Sequence, residues 1–250
     1  MVINIYGDET LPKIILLHPM MADGKSMLKL TKGMEGRYCF IAPDLSGQGS
    51  DKGEFVSAKQ EAETLAAFLK EKGYGTIELL AGALLGGLTG MYMLAEPGIR
   101  YETIVFDGTP MYENARLLYH VMRSGFLKKH RKAKRMPVEG MEKKMEEKYG
   151  VFGSAMAHSF IRMSEKSITA IVRDCTDFPF PPIEEGIQRR IFLEVGSRDV
   201  NCRQNRTVLR HYPYLHIRVR EGYGHCMYPA VHHEEYGRLL ERYMKNKGKG

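Results

Sequence analysis

The segment from Ile77 to Ala95 constrains the fold of this chain more than any other. Ile77–Ala83 is an apolar run of the kind that forms a buried strand, and Leu88–Ala95 has the composition of a buried helix. Between them, Gly82-Ala83-Leu84-Leu85-Gly86-Gly87 supplies glycines that allow a strained turn and a close helix crossing. A strand, a Gly-x-nucleophile-x-Gly turn and a helix make a nucleophile elbow. The sequence therefore predicts an elbow with Leu84 at its tip, where a Ser, Cys or Asp would be the nucleophile.

Strand and helix signals alternate along most of the remaining chain, which favours an α/β class with a mainly parallel sheet covered by helices on both faces. The predicted strands are Val2–Tyr6 at an edge, Lys13–His18, Tyr38–Asp44, Ile77–Ala83, Thr103–Asp107, Arg190–Val195 and Leu215–Arg220. The predicted helices outside the elbow are Ala58–Lys72, a segment near Cys202–His211, and Pro229–Lys245. The tail Lys245–Gly250 is expected to fray.

Residues 110–182 interrupt this alternation, because they are helical, charged and rich in Met, with no convincing strand. This pattern predicts a helical cap, residues 110–182, inserted into an α/β core made of residues 1–109 and 183–250. The insertion also contributes +6 of the formal net charge of +7. The basic run Lys128–Arg135 could attract an anionic partner. No aromatic residue interleaves with its charges, so we expect a solvated surface and no nucleic-acid partner.

Four polar motifs follow predicted strands, at the sheet edge where open α/β folds place their chemistry. They are His18-Pro19-Met20-Met21, Asp44-Leu45-Ser46-Gly47-Gln48-Gly49-Ser50-Asp51, Gly196-Ser197-Arg198-Asp199 and Gly222-Tyr223-Gly224-His225. Together with the elbow, these motifs resemble the α/β-hydrolase superfamily in its capped esterase, lipase and peptidase-like branch. The resemblance covers nearly the whole chain apart from the insertion, which is similar to the variable cap of that family.

The resemblance implies a chain order of nucleophile, acid and histidine at Leu84, Asp199 and His225. In such a site the histidine takes the proton of the nucleophile, and the acid holds the imidazole in one tautomer. The family's two oxyanion-hole donors correspond to the backbone N–H groups of Met20 and Leu85. Pro19 stands where the family usually has Gly, which changes the backbone of that loop.

Each of these residues also has a structural interpretation. Asp199 could serve only as the cap of the helix that begins near Asn201, and Asp107 is then the second candidate for the acid. His225 could be a packed histidine at a turn. The Asp44–Asp51 motif is expected to be structural, with its glycines at a bend. No residue is expected to replace the missing nucleophile, since Cys226 directly follows His225 and cannot easily face its imidazole in triad geometry.

Leu84 leaves three hypotheses open. In the first, the chain is a serine hydrolase of carboxylesterase-like type, acting on a small-molecule ester or amide with an apolar acyl group, and is impaired at Leu84. In the second, it is a non-catalytic member, a pseudoenzyme, whose capped pocket binds a small apolar ligand or whose surface binds a protein partner. In the third, His225 and Asp199 activate water without a covalent intermediate.

The methionines of the insertion bear on the pocket. They are expected to be ordinary helix-core residues, with an adaptable lining of an apolar cavity as the alternative; they are Met111, Met122, Met136, Met141, Met145, Met156 and Met163.

The rest of the composition argues for a simple setting. The four cysteines form no CxxC pair, and His232-His233-Glu234-Glu235 lacks the HExxH spacing, so we expect no disulfide framework, metal or cofactor. The N-terminus lacks the pattern of a signal peptide, and the run from Leu79 to Ala95 is too short to span a bilayer. These features predict a cytoplasmic protein without a membrane span. The oligomeric state stays open.

Overall fold

A seven-stranded sheet organises the chain in the computed structural model, which describes residues 1–246. The strands follow the order β1-β3-β2-β4-β5-β6-β7, and only β1 runs antiparallel to its neighbour. They are β1 (Ile5–Tyr6), β2 (Lys13–Leu17), β3 (Cys39–Ile41), β4 (Thr76–Ala83), β5 (Arg100–Asp107), β6 (Ile191–Gly196) and β7 (His216–Arg220). The predicted α/β class with a mainly parallel sheet is therefore confirmed.

The apolar composition of the inner strands explains their position. Strands β2, β4, β5 and β6 lie between two other strands and carry near-continuous runs of buried side chains, as sheets covered on both faces require. The two edge strands differ. Only Ile5 and Tyr6 of the predicted Val2–Tyr6 strand pair with β3, while Val2 forms an isolated bridge to Asp44. Strand β7 keeps Arg218 and Val219 exposed, as an edge strand can.

The helices cover both faces of this sheet. They are α1 (Gly24–Met27), α2 (Ala58–Glu71), α3 (Leu85–Met93), α4 (Arg116–Ala133), α5 (Val138–Tyr149), α6 (Gly153–Arg162), α7 (Glu165–Thr176), α8 (Glu185–Gln188), α9 (Asn205–His211), α10 (Met227–Val231) and α11 (His233–Asn246). Short 3-10 turns span Leu28–Thr31, Gly150–Phe152 and Val200–Gln204.

The C-terminal helix differs from its prediction in two ways. The predicted helix Pro229–Lys245 is divided at His232, whose side chain is hydrogen-bonded to the Tyr223 hydroxyl at 2.9 Å. Lys245 and Asn246, which were expected to fray, belong to α11, because that helix buries Leu240 and Met244 against the core. The rest of that predicted tail, residues 247–250, lies outside the described residues.

Five helices, α4 to α8, stand between β5 and β6 along the chain. Polar side chains of α6 and α7 attach this group of helices to the loop after β3. Ser159 accepts the Gly49 N–H at 3.1 Å, and Ser167 accepts the Phe55 N–H at 3.0 Å. The Asp174 carboxylate accepts the Ala58 N–H at 2.6 Å, where α2 begins. These contacts hold the helices over the carboxyl edge of the sheet.

The loop after β3 is itself organised by Asp44. Its carboxylate accepts hydrogen bonds from the N–H groups of Gly24 and Ser50, each at 2.8 Å, and from the Ser50 hydroxyl at 2.6 Å. A side chain at Gly49 would collide with this carboxylate at 2.3 Å. Asp44 thus fixes the bend on which α6 rests, as the structural interpretation of its motif predicts. No helix within residues 1–246 has the length and apolar character needed to cross a membrane.

Candidate active site

The turn between β4 and α3 is a strained elbow with Leu84 at its tip. Leu84 adopts φ 47° and ψ −107°, a region that side chains other than glycine rarely enter and that costs of order 1–3 kcal/mol. Its N–H donates to the carbonyl of Asp107 at 2.9 Å, which anchors the tip to β5. The backbone conformation at the predicted nucleophile position is therefore sharply bent, although the side chain there is a hydrocarbon.

The glycines of the elbow are required by close approaches. A Cβ at Gly86 would lie 2.1 Å from the backbone oxygen of Leu17, and one at Gly82 would lie 2.7 Å from the backbone of Gly86. A Cβ at Gly87 would meet the Thr109 hydroxyl at 1.9 Å. Because strand and helix nearly touch at these points, the elbow cannot relax by moving α3 outward without opening the core.

His225 and Asp199 form a hydrogen-bonded pair beside this elbow. His225 follows β7 and Asp199 follows β6, and His225 Nδ1 lies 2.8 Å from Asp199 Oδ2. The Asp199 side chain is fully buried, whereas the His225 side chain is 36% exposed. Since a carboxylate only accepts, Nδ1 carries the proton and Nε2 is left able to accept one. The geometry matches a base and its orienting acid.

Asp199 also fulfils its alternative interpretation as a cap. Its Oδ1 accepts the N–H of Asn201 at 2.9 Å, at the start of the 3-10 turn Val200–Gln204. One oxygen of the Asp199 carboxylate therefore caps the turn, and the other binds His225. Asp107, the second candidate acid, is not the partner of His225. Burial and the nearby Glu194 carboxylate raise the pKa of Asp107 well above its usual range, while Arg220 pairs with Glu194 at 2.6 Å.

Asn201 is a member of the site that the sequence analysis missed. Its amide nitrogen donates to the Gly108 carbonyl at 2.9 Å and lies 3.4 Å from His225 Nδ1. Its amide oxygen accepts from the Tyr112 hydroxyl at 3.1 Å and from Gln204 Nε2 at 2.9 Å. The available signal was an Asn two residues after the candidate acid, but only the tertiary structure brings its partners together.

The His18-Pro19-Met20-Met21 loop follows β2 and faces the elbow. His18 is fully buried, and it accepts the Leu45 N–H at Nε2 over 3.0 Å while Nδ1 donates to the Pro19 carbonyl at 2.8 Å. Burial lowers the pKa of His18, so it stays neutral and holds the loop. Met21 takes a positive φ of 73°, and its N–H donates to Gln48 Oε1 at 2.6 Å.

Gln48 therefore engages the amide of Met21 and not that of Met20. Met20 lines the cavity beside the elbow, which is described below. Leu85 is the first residue of α3, and the first amide of a helix has no acceptor within the helix. The two predicted oxyanion donors are thus on the two segments that flank Leu84. Gln48 was not singled out from the sequence, because its role depends on a contact across 27 residues.

Cys226 lies closer to the imidazole than the sequence suggested. Its Sγ is 3.9 Å from His225 Nε2 and 3.7 Å from the Asp107 carbonyl, so the thiol lies near the ring. The left-handed backbone of Cys226, with φ 49°, turns the thiol back toward the ring. Burial, together with the Asp107 and Asp199 carboxylates, raises the pKa of this thiol well above its usual range. The thiol therefore stays protonated and is a poor nucleophile.

A cavity of about 490 Å³ lies between the elbow and the helices that follow β5. Leu84, His225 and Cys226 line it from the sheet side, and apolar side chains line it from the helices. Some methionines of the insertion line this cavity, and the others do not. Those on the cavity wall are Met122, Met141, Met145 and Met156, whereas Met111, Met136 and Met163 do not line it.

The basic run meets this cavity at Lys129 alone. In the basic run Lys128–Arg135, all residues except His130 and Ala133 are exposed. Among residues 1–246, no three His, Cys, Asp or Glu side chains converge as the ligands of a metal ion would.

Comparison with known proteins identifies the fold. Neither a family model nor a curated protein sequence matches the chain. Among solved structures, it is similar to E-2-(acetamidomethylene)succinate hydrolase, with a TM-score of 0.75, 15% identity, and coverage of 97% of this chain and 94% of that one. It is also similar to a thermophilic esterase from Thermogutta terrifontis, with a TM-score of 0.72, 15% identity, and coverage of 99% and 94%. MenH from S. aureus gives a TM-score of 0.69, 14% identity, and coverage of 98% of each chain.

These likenesses extend over nearly the full length of both partners. The chain has the α/β-hydrolase fold, as the sequence resemblance predicted.

Proposed function

We propose that this chain is a serine-hydrolase scaffold of carboxylesterase-like type, in which Leu84 replaces the nucleophile and thereby impairs ester or amide hydrolysis. The observation that carries the proposal is the hydrogen bond of 2.8 Å between His225 Nδ1 and Asp199 Oδ2, beside an elbow that keeps its strained backbone. A pocket that only bound a ligand would need neither an oriented base nor a strained turn.

The chemistry of the proposed site follows from these groups. His225 Nε2 would take the proton of a nucleophile placed at position 84, and Asp199 would stabilise the resulting imidazolium. The amides of Met20 and Leu85 would hold the oxyanion of the tetrahedral intermediate. Residues 1–109 and 183–250 form the catalytic core in this proposal, and residues 110–182 form a cap. The apolar cavity favours an acyl group without charge near the reacting carbonyl.

The test is a gain of function. Loss of the nucleophile from such a triad costs about 10⁶-fold in turnover. Leu84→Ser should therefore raise the hydrolysis of p-nitrophenyl acetate, butyrate and octanoate by at least about 10³-fold over the unmodified chain, because an oriented base is already present. Leu84→Ala is the matched control, since it removes the same side chain without adding a hydroxyl.

Two further variants assign the activity to the proposed groups. In the Leu84→Ser background, His225→Gln should abolish the gain, whereas Cys226→Ala should leave it. If Leu84→Ser and Leu84→Ala are equally inactive on esters, thioesters and amides while both remain folded, the serine-hydrolase proposal is wrong. If the unmodified chain already shows saturable turnover that requires His225, direct activation of water takes its place.

A second candidate function is ligand binding without catalysis. It is favoured by Leu84 itself, since the half-buried side chain extends the apolar wall of the cavity. In that case an apolar ligand should bind the unmodified chain more tightly than Leu84→Ser. Equal binding by both chains would argue against this role for Leu84.

We also propose a cytoplasmic setting. All four cysteines are free in the structure, and none pairs with another. Thiols persist where the compartment is reducing.

A further inference from the structure

The charged residues that line the cavity all have one sign. Lys129 on α4 and Lys144 and Lys148 on α5 contribute to its wall, and no Asp or Glu does. All three lysines are exposed. Because an exposed side chain that also lines a cavity must lie where the cavity meets solvent, the lysines mark its opening. The rest of the helical wall is apolar, with residues such as Leu118, Met122 and Phe126.

These lysines are not neutralised within the described part of the chain. None of the three forms an ion pair with a carboxylate in residues 1–246. The Lys129 ammonium lies 6.0 Å from the centroid of the Phe126 ring, so its aliphatic stem runs along the apolar wall. Lys148 also borders a separate groove that carries Glu146 and Glu147. Lys129 and Lys144 are therefore the two lysines of the opening that do not also border this groove.

An apolar cavity with an all-positive opening selects an amphipathic anion. Such a molecule can bury its hydrocarbon part among the methionines and phenylalanines and leave its charged end at the lysines, where it remains hydrated and paired. We propose that the cavity binds a linear apolar chain that ends in a carboxylate, sulfate or phosphate, with the anion at Lys129 and Lys144. The inference rests on the proposed function in one respect only, namely that the same cavity receives the acyl chain.

The positions of His225 and of the lysines place two constraints on a substrate of the proposed hydrolase. The reacting carbonyl must reach His225 on the sheet side, and the anionic group must stay at the helical opening. The substrate would therefore carry its charge at the end of the molecule remote from the ester or amide, as in a half-ester of a long dicarboxylic acid.

The experiment measures binding directly, on the full chain with Leu84 in place. Dodecanoate, dodecyl sulfate, dodecyltrimethylammonium and dodecanol are titrated below their micellar concentrations by calorimetry or by displacement of a fluorescent fatty acid. We expect both anions to bind at least about 10-fold more tightly than the cation of equal chain length. Higher salt should reduce this preference, because exposed charges are screened.

A matched pair of double variants locates the anion. Lys129→Gln with Lys144→Gln should weaken dodecanoate binding by about 10-fold and leave dodecanol unchanged. Lys128→Gln with Lys143→Gln removes the same charge from the neighbouring positions of the same helices, which do not line the cavity, and should leave both ligands unchanged. Vesicles of phosphatidylglycerol and phosphatidylcholine distinguish a free amphiphile from a lipid headgroup in a membrane.

Equal affinity for anion and cation would overturn the proposal, as would an equal loss in the two double variants. Binding to anionic vesicles without binding to monomeric anions would also overturn it, in favour of a basic membrane-facing surface. The proposed function is tested separately. Anion binding can succeed when Leu84→Ser stays inactive, and hydrolysis of neutral esters can return when anion binding fails.

Discussion

The backbone strain at Leu84 gives a prediction that does not depend on catalysis. At φ 47° and ψ −107°, any residue with a Cβ carries a cost of order 1–3 kcal/mol, which glycine avoids. Leu84→Ala removes most of the side chain and keeps this cost. Leu84→Gly removes one more methyl group and relieves this strain. It also makes the unfolded chain more flexible, which lowers the free energy of unfolding by roughly 0.5–1 kcal/mol. The balance predicts that Leu84→Gly is more stable than Leu84→Ala, by up to about 2.5 kcal/mol.

The comparison of two variants is more informative than either variant against the unmodified chain. Both variants lose the contacts of the leucine with the cavity wall, so the difference between them isolates the backbone. Urea unfolding followed by circular dichroism gives the two free energies of unfolding, and equal slopes against denaturant would show that both variants expose the same surface on unfolding.

A neighbouring position supplies the control. Ala83, the last residue of β4, does not have a positive φ, and its side chain is buried. Ala83→Gly should therefore destabilise the protein by about 1 kcal/mol, opposite in sign to the exchange of Ala for Gly at position 84. If alanine gives a higher free energy of unfolding than glycine at position 84, as expected at position 83, the elbow is not strained in solution.

Three further predictions follow from buried contacts. Gly86→Ala should destabilise the chain by more than about 3 kcal/mol in urea unfolding, because its Cβ would meet a backbone oxygen of β2 at 2.1 Å and neither element can move freely. Asp107→Asn should match the unmodified chain near pH 4 and become the more stable of the two as pH rises toward 8. The raised pKa means that the folded state holds a proton which the unfolded state releases, so the unmodified chain loses stability as pH rises through the folded pKa. Ser159→Ala should cost about 1–3 kcal/mol by leaving the buried N–H of Gly49 unpaired, whereas Ser154→Ala, at a part-exposed contact, should change stability by less than about 0.5 kcal/mol.

The residues that the sequence assigned to the candidate triad share one property, which is that each lies within five residues after the end of a strand. Leu84 follows β4, Asp199 follows β6 and His225 follows β7. In a parallel sheet these carboxyl ends share one edge, so the order of the strands brings together residues that are more than 100 positions apart in the chain. Periodicity and turn residues are enough to find such positions, because they depend on local structure and on a simple rule of topology.

The residues that the sequence did not reveal depend on contacts between loops. Gln48 matters because its carbonyl meets the Met21 amide, and Asn201 matters because it bridges Gly108 and the surroundings of His225. Neither contact has a periodic signal. The approach of Cys226 to the imidazole also has no sequence signal, since it accompanies a left-handed backbone at a non-glycine residue. Single residues in that region are set by the tertiary structure, which overrides local preference.

The contacts of the elbow explain why a leucine can occupy its tip without remodelling the turn. The bend is held by the hydrogen bond from Leu84 N–H to Asp107 and by the close crossing of α3 over β2 at Gly86. Neither contact involves the side chain at position 84. A change of side chain at position 84 therefore removes no interaction that maintains the turn, and the strain persists because relaxing it would separate packed elements. Under the proposed function, a serine at position 84 should therefore receive the backbone geometry and the oriented imidazole already in place, and we expect hydrolysis from that one substitution.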